Sequence, residues 1–320
     1  MRKITTLLLI CLCAAGPVFS QQTVDLEGLK KGVNDFSKRM AYSLPFNSSI
    51  GLNWSDAYIG QVLDAPPHFG VGFTAGFTSI NSSTAEKMLK QFDLDMPIDW
   101  DSFPLVGYTL EGRVGGFFLP FDIGIKVGYL DAKLDSFETN YLLLGGDFRY
   151  AILKGDVLPL KLSVGVGYNY MQGGVAMTQT GDMLLSYGGY TIGMPNPKVG
   201  LVWETSSVDV KAQASFSLAI LTPYLGVGAS YAWSKAGIKV DGKLKGSNSY
   251  LDTEAKKAIK GLGFDVTNEG ISSIVDVENL STRVFGGFSV NLVAFRIDFT
   301  GLYNILDANY GATVGARFQL

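Results

Sequence analysis

Cysteine is almost missing from this 320-residue chain: there are two, Cys11 and Cys13, and histidine occurs once, as His68. After the first residues, no stretch reaches about 18 consecutive apolar residues, which excludes membrane-spanning helices. The start reads Met1-Arg2-Lys3, an apolar run from Ile4 through Ala15, then Pro17 and Val18-Phe19-Ser20, with small or modest residues at the −3 and −1 positions before Gln21. That order predicts a secretory signal over residues 1–20. Neither cysteine follows the small residue that a lipid-attachment site requires, so cleavage without lipidation is expected. Removing 1–20 leaves no cysteine, and so no disulfide, thiol nucleophile or zinc–thiolate site. It also removes Arg2 and Lys3, taking the net charge from −3 to −5 (24 basic against 29 acidic). That balance argues against a nucleic-acid surface. Any Ser–His hydrolase arrangement would have to use His68, which follows Pro66-Pro67 and reads as a turn residue. Gly70-Val71-Gly72 with Gly76 is no nucleotide loop, because no helix follows it. Neither an enzyme nor a cofactor is expected.

What is present is apolar content of 47%, with 39 Gly, 15 Tyr and 20 Phe. The apolar residues recur at every second position, as on one face of a strand. Leu160, Leu162, Val164, Val166, Tyr168 and Tyr170 alternate with Lys161, Ser163, Gly165, Gly167 and Asn169. Val208, Val210, Ala212, Ala214 and Phe216 alternate with Asp209, Lys211, Gln213 and Ser215. Phe121, Ile123, Ile125, Val127 and Tyr129 alternate with Asp122, Gly124, Lys126 and Gly128. Such strands are long enough to cross a bilayer at a tilt, about 9–11 residues. Their polar faces carry both charge signs and many glycines, as a lumen does, and their apolar faces are tipped with aromatics, as interface girdles are.

The closing segment is the most specific feature. Tyr310, Ala312, Val314, Ala316, Phe318 and Leu320 form one apolar face, against Gly311, Thr313, Gly315, Arg317 and Gln319. It resembles the terminal strand that bacterial outer-membrane β-barrel proteins present to their assembly machinery, with Leu320 where an aromatic is usual. With the signal, this resemblance covers residues 68–320 and implies a cell outer membrane location. Membrane lipid and the barrel assembly machinery are the implied partners. The expected fold is all-β, a transmembrane antiparallel barrel of about 12 strands. They are expected near 68–79, 105–117, 121–131, 139–152, 158–171, 183–193, 197–205, 208–219, 222–235, 282–292, 294–304 and 308–320. Short inner turns are expected at Leu119-Pro120, Lys154–Asp156, Met194–Pro197, Leu221-Thr222 and Leu292-Val293. Long outer loops are expected at 80–104 and 236–281. Each loop holds a helix signal: Ser83 with Glu86 opens one leading to Phe92, and 252–262 carries Ala255, Ala258, Ile259 and Leu262.

Residues 21–67 precede the barrel. Leu26, Leu29, Val33, Phe36 and Met40 recur at spacings of 3, 4, 3 and 4, opposite Lys30, Lys31, Asn34, Asp35 and Lys38, which predicts an amphipathic helix. Ile50, Leu52, Trp54, Tyr58 and Ile59 then form an apolar group unsuited to water. Gly70, Gly107, Gly115, Gly124 and Gly226 fall on polar strand faces, where glycine admits a second backbone. Part of 43–67 is therefore expected to enter the lumen as a plug. A hatch inside a barrel with loop helices outside resembles the FadL-type fatty-acid channels. The resemblance is one of architecture: the Asn-Pro-Ala hatch motif of that family is missing here and its barrels usually have 14 strands.

The inward charges expected from alternation are Glu111, Arg113, Asp122, Lys126, Asp147, Arg149, Lys161, Lys198, Glu204, Asp209, Lys211, Arg283, Arg296, Asp298 and Arg317. Of these Glu111, Arg113, Asp147, Arg149, Lys211, Arg296, Asp298 and Arg317 are the lumen-lining candidates. A narrow lumen would pair them, since an unpaired confined charge is costly. Asp93, Asp95, Asp99 and Asp101 are a weak calcium candidate, lacking the EF-hand glycine and final glutamate. The leading functional expectation is a channel or diffusion protein for small solutes, hydrophobic ones among them. The alternative is a non-transporting surface barrel whose loops bind a partner. The sequence leaves the oligomeric state open.

Overall fold

The structure, a computed structural model, describes residues 23–64, 67–81, 102–155, 158–187, 190–243 and 249–320. The predicted signal, the Ser83–Phe92 helix and Asp93, Asp95, Asp99 and Asp101 lie outside the described residues. In chain order the elements are β1 (Thr23–Asp25), α1 (Leu26–Ser48), β2 (Phe69–Asn81), β3 (Ser102–Gly115), β4 (Phe121–Leu134), β5 (Phe137–Lys154) and β6 (Leu160–Thr178). Then come β7 (Asp182–Tyr187), β8 (Tyr190–Pro195), β9 (Lys198–Phe216), β10 (Leu221–Asp241), α2 (Ser249–Gly261) and β11 (Asp265–Thr267). The chain ends with β12 (Gly270–Leu292), β13 (Phe295–Asn304) and β14 (Tyr310–Gln319). Among the described residues no helix is long and apolar enough to cross a membrane.

Ten antiparallel strands close a barrel in the order β2-β3-β4-β5-β6-β9-β10-β12-β13-β14, with β14 returning to β2. The expected count of about 12 is corrected in two places. Residues 183–193 are not a barrel strand: they fall in the β7–β8 hairpin, whose six-residue strands are too short to span, and β1 pairs parallel with β7 beside it. Residues 197–205 and 208–219 are not two strands but the single β9, paired without a break to β6 and β10. One false strand and one false division shift the count by two and leave it even. Met194–Pro197 consequently lies at the outer end, not in an inner turn. The last long connection shrinks from 236–281 to 242–269, because β10 and β12 pair as far as Asp241 and Gly270.

The reason for both boundary errors is a phase inversion along the long strands. In the inner part of β9, Val208, Val210 and Phe216 face outward while Ser207, Asp209, Lys211 and Gln213 are buried inside. In its outer part Trp203 faces inward and Glu204 outward. β12 does the same, with Ile271 and Val277 buried inside at one end and Leu280 and Phe288 exposed outside toward the other. One barrel thus has two zones. The inner zone has an apolar exterior for lipid and a polar lumen; the outer zone has a polar exterior for water and an apolar interior.

α1 fills that outer zone. Its Val33, Phe36, Met40, Ala41 and Leu44 pack with Ile80, Leu143, Met171, Trp203, Ala236 and Ile271, joined by Ile259 at the end of α2 and by Phe264. Exposed Tyr129, Tyr168, Tyr231, Trp233, Tyr303 and Tyr310 form a ring near the boundary between the zones. Phe69, Tyr150, Phe216 and Phe295 form another at the inner end. A 23-residue strand such as β12 is about 75 Å long at 3.3 Å per residue, more than twice what a tilted crossing needs. The closed sheet and its apolar inner-zone exterior place the protein in a bacterial outer membrane.

Candidate functional site

The site is the lumen of the inner zone, and its occupant is the segment that follows α1. The helix ends where Phe46 O accepts Ser49 N at 3.2 Å and Ser49 Oγ at 2.7 Å, which satisfies a carbonyl left over at the C-terminus. Gly51 and Leu52 then adopt φ of 87° and 58°. Leu52 is a non-glycine in the left-handed region, a strain of about 1–3 kcal/mol. Its carbonyl accepts from Lys211 Nζ at 3.3 Å, one of the contacts that fix the turn.

From there the segment is held by the barrel wall at nearly every residue. Lys126 Nζ donates to Ser48 O and Ile50 O, both at 2.7 Å. Tyr224 Oη donates to Asn53 O at 3.1 Å, and Gln213 Nε2 to Trp54 O at 2.7 Å. Trp54 Nε1 donates to Glu111 Oε2 at 2.6 Å, and its ring lies 4.6 Å from the Arg317 guanidinium and 5.6 Å from that of Arg113. Ser55 N donates to Asp298 at 3.2 Å, Ala57 N to Ser215 Oγ at 2.9 Å, and Ile59 N to Asp122 at 3.3 Å. Asp56 pairs with Arg296, with Arg317 at 3.0 Å and with Lys161 at 3.4 Å. Ile50, Leu52, Trp54, Tyr58 and Ile59 are all buried.

Behind this layer the wall charges pair among themselves. Arg113 bonds both Asp122 and Asp147, Arg149 chelates Asp122 at 2.8 and 2.9 Å, and Lys211 meets Asp147 at 2.7 Å. Arg283 grips Asp209 at 2.7 and 2.9 Å, and Arg317 reaches Asp298 at 3.1 Å. The eight lumen-lining candidates all face inward. Two of the wider set do not: Lys198 and Glu204 point outward. Glu204 accepts from Tyr170 Oη at 3.2 Å. Lys198 pairs with Glu138, and the hydrogen bonds from Lys133 and then Lys198 hold that carboxyl below its ordinary range. The reason is the single unbroken β9: its odd-numbered residues face inward along the whole strand, so the polar residues at 198 and 204 turn outward.

Sequence reasoning missed Asp56, the most densely paired carboxylate of the segment; it placed Lys126 inward, but not against its partners, the backbone carbonyls of Ser48 and Ile50. Neither partnership has a sequence signal, since both are made across more than 70 residues. The inward glycines split by role. Gly70 leaves room for the Trp54 ring and Gly115 for the Gly60 carbonyl, whereas Gly226 accommodates the wall's own Phe285. At Gly115 a Cβ would lie 2.0 Å from Gly60 O, which is backbone and cannot swing aside. Gly115→Ala is therefore expected to push out the exit of the segment, raising amide exchange across 59–62 by about ten-fold or more, in line with overpacking costs of roughly 1–3 kcal/mol. Wild-type exchange in that variant would contradict the close approach.

His68 stands at the inner rim, its Nδ1 3.2 Å from Leu320 O and its Nε2 3.8 Å from Asp64. It joins the exit of the segment to the end of β14. No group of three or more metal-ligating side chains gathers among the described residues.

Comparison with solved structures returns bacterial outer-membrane β-barrels. The outer membrane protease OmpT of Escherichia coli aligns at 11% identity over 80% of this chain and 98% of that one, with a TM-score of 0.39. The translocator domain of the autotransporter NalP from Neisseria meningitidis aligns at 10% over 89% and 95%, with a TM-score of 0.36. A major outer membrane protein from Thermus thermophilus aligns at 12% over 79% and 99%, with a TM-score of 0.32. Scores this low lend no detail, and the strand order and lumen contacts above stand without them. Among curated proteins, the proline–tRNA ligase of Picrophilus torridus is 31% identical over 81 residues, which span 25% of this chain and only 16% of the ligase. The family model described as Lsa36-like matches residues 69–320.

Proposed function

The chain belongs to the Lsa36-like family, and from that premise we propose that it is a surface barrel, closed at rest by its own N-terminal segment, whose outer zone binds a partner. The observation that carries this reading is the filled lumen. The segment from Phe46 to Ile59 is buried throughout, and the space left between it and Lys126, Asp147, Lys211 and Arg283 is about 10 Å³. That is room for roughly one water molecule. The outer zone, by contrast, carries nearly half the length of long strands such as β9 and β12 above the bilayer.

A second reading is gated diffusion of small solutes, hydrophobic ones among them. It is favoured by the character of the grip, which consists of hydrogen bonds and ion pairs that water can replace. One pair of measurements separates the two. Full-length protein in a planar bilayer is expected to be silent, and a variant lacking residues 21–60 is expected to conduct. Solute-dependent swelling of liposomes holding the full chain would support the second reading. Loss of partner binding on replacing the outer connection 242–269, with the bilayer still silent, would support the first. Equal conductance with and without 21–60 would refute lumen closure and sink both.

A further inference from the structure

We infer that the chain crosses the outer membrane once more, through its own lumen, so that the N-terminal end of the described chain is displayed at the cell surface. A barrel whose first strand starts at the inner rim would ordinarily leave the preceding residues in the periplasm. Here they begin at the other end.

The path is fixed by contacts at successive depths. β1 pairs with β7, part of the connection between the outer ends of β6 and β9. Lys30 Nζ at the top of α1 donates to Gly263 O at 2.6 Å and to Ser273 Oγ at 3.0 Å, both at the outer end. Descending β9 toward the periplasm, Ser207 meets Ser48, Lys211 meets Leu52, Gln213 meets Trp54 and Ser215 meets Ala57. Val62 N finally donates to Gly116 O at 3.0 Å, at an inner turn, before β2 begins. The segment descends as the wall does, one contact level after another.

Which end is outside follows from the connections. At the end that holds Phe69 and Leu320, each link is a handful of residues: 116–120, 155–159, 217–220 and 293–294. The opposite end carries every long link, 82–101, 179–197 and 242–269, beside the short ones at 135–136 and 305–309. Short turns face the periplasm and long ones the exterior. α1 also keeps one face open at its outer half, where Lys31 and Lys38 are exposed. A chain crossing in this way has the end that precedes α1 outside. The inference is independent of whether the lumen ever opens or what the rim binds.

Single-cysteine labelling with a membrane-impermeant maleimide on intact cells tests it, in a background carrying Cys11→Ala and Cys13→Ala. Lys31→Cys and Lys38→Cys report on α1. Lys133→Cys, whose side chain is 72% exposed at the outer end of β4, is the surface control. Leu63→Cys, 61% exposed at the inner rim, is the periplasmic control. Each variant is first checked for the heat-dependent gel shift of a folded barrel. The expected result is labelling of Lys31→Cys in intact cells at the level of Lys133→Cys, with Leu63→Cys reacting only after permeabilisation. Labelling of Lys31→Cys and Lys38→Cys only after permeabilisation would overturn the inference. So would silence of both in folded protein while Lys133→Cys reacts.

Discussion

Asp56→Ala is expected to unlock the lumen and lower barrel stability by about 3 kcal/mol, the low end of the range for breaking a buried ion pair. The Asp56 side chain is 2% exposed and serves Arg296, Arg317 and Lys161 together. Removing it leaves three cations facing one another around an empty site. Arg317, 1% exposed, has nowhere to hydrate and keeps only Asp298 as counter-charge. Lys161 and Arg296 are 22% and 20% exposed and can turn toward water, which is why the low end applies. Arg296→Gln should cost less, because Asp56 keeps two partners. The denaturation midpoint of the purified barrel in micelles reads the stability, and single-channel recording reads the lock. Asp56→Ala is expected to add open events that the parent lacks. A variant with the parent's midpoint and a silent bilayer would show that the clamp does not hold the segment.

Trp54→Ala has a comparable expected effect by a different route. The indole is 3% exposed, lies against the position of Gly70, and sits between two guanidiniums. Truncation removes that packing and leaves a cavity, which costs about 3–5 kcal/mol for a buried tryptophan. It also takes the indole donor from Glu111, whose other oxygen keeps Thr109 Oγ1 at 2.7 Å. Trp54→Phe separates the two contributions. It keeps most of the ring and loses the hydrogen bond to a buried carboxylate, for about 1–3 kcal/mol. If the two variants shifted the midpoint equally, the ring would contribute nothing beyond its N–H. If neither shifted it, Trp54 would not be anchored as the geometry describes.

The inner zone was legible in the sequence because lipid imposes a strict rule. Every second residue of β4, from Phe121 to Tyr129, must be apolar, and the intervening Asp122 and Lys126 must turn inward. The terminal strand, the glycines facing the lumen and the apolar run from Ile50 to Ile59 follow the same logic and were readable with it. The outer zone was not legible, because there the rule reverses. Thr205-Ser206-Ser207 resembles a turn, yet it is the point in β9 where the apolar face changes sides. Thr205 Oγ1 bonds Ser234 Oγ at 2.8 Å and Ser207 lies beside Ser48, so both hydroxyls serve the interior. Gly270–Ser281 resembled loop for a related reason: Asp276 and Glu278 face water while Val277 meets the core around α1.

By itself the sequence determined that the chain is an all-β membrane barrel with a polar lumen, an amphipathic helix ahead of it and an apolar segment needing cover. Alternation and its period are properties of neighbouring residues, and the bilayer reads them locally. Only the tertiary structure decided that there are ten strands, that α1 sits in the outer mouth, and that Asp56 meets Arg296 and Arg317. Those outcomes depend on which face a strand turns inward once a helix, rather than water, occupies the space it encloses. The choice is made between residues more than 200 positions apart, and no local pattern encodes it.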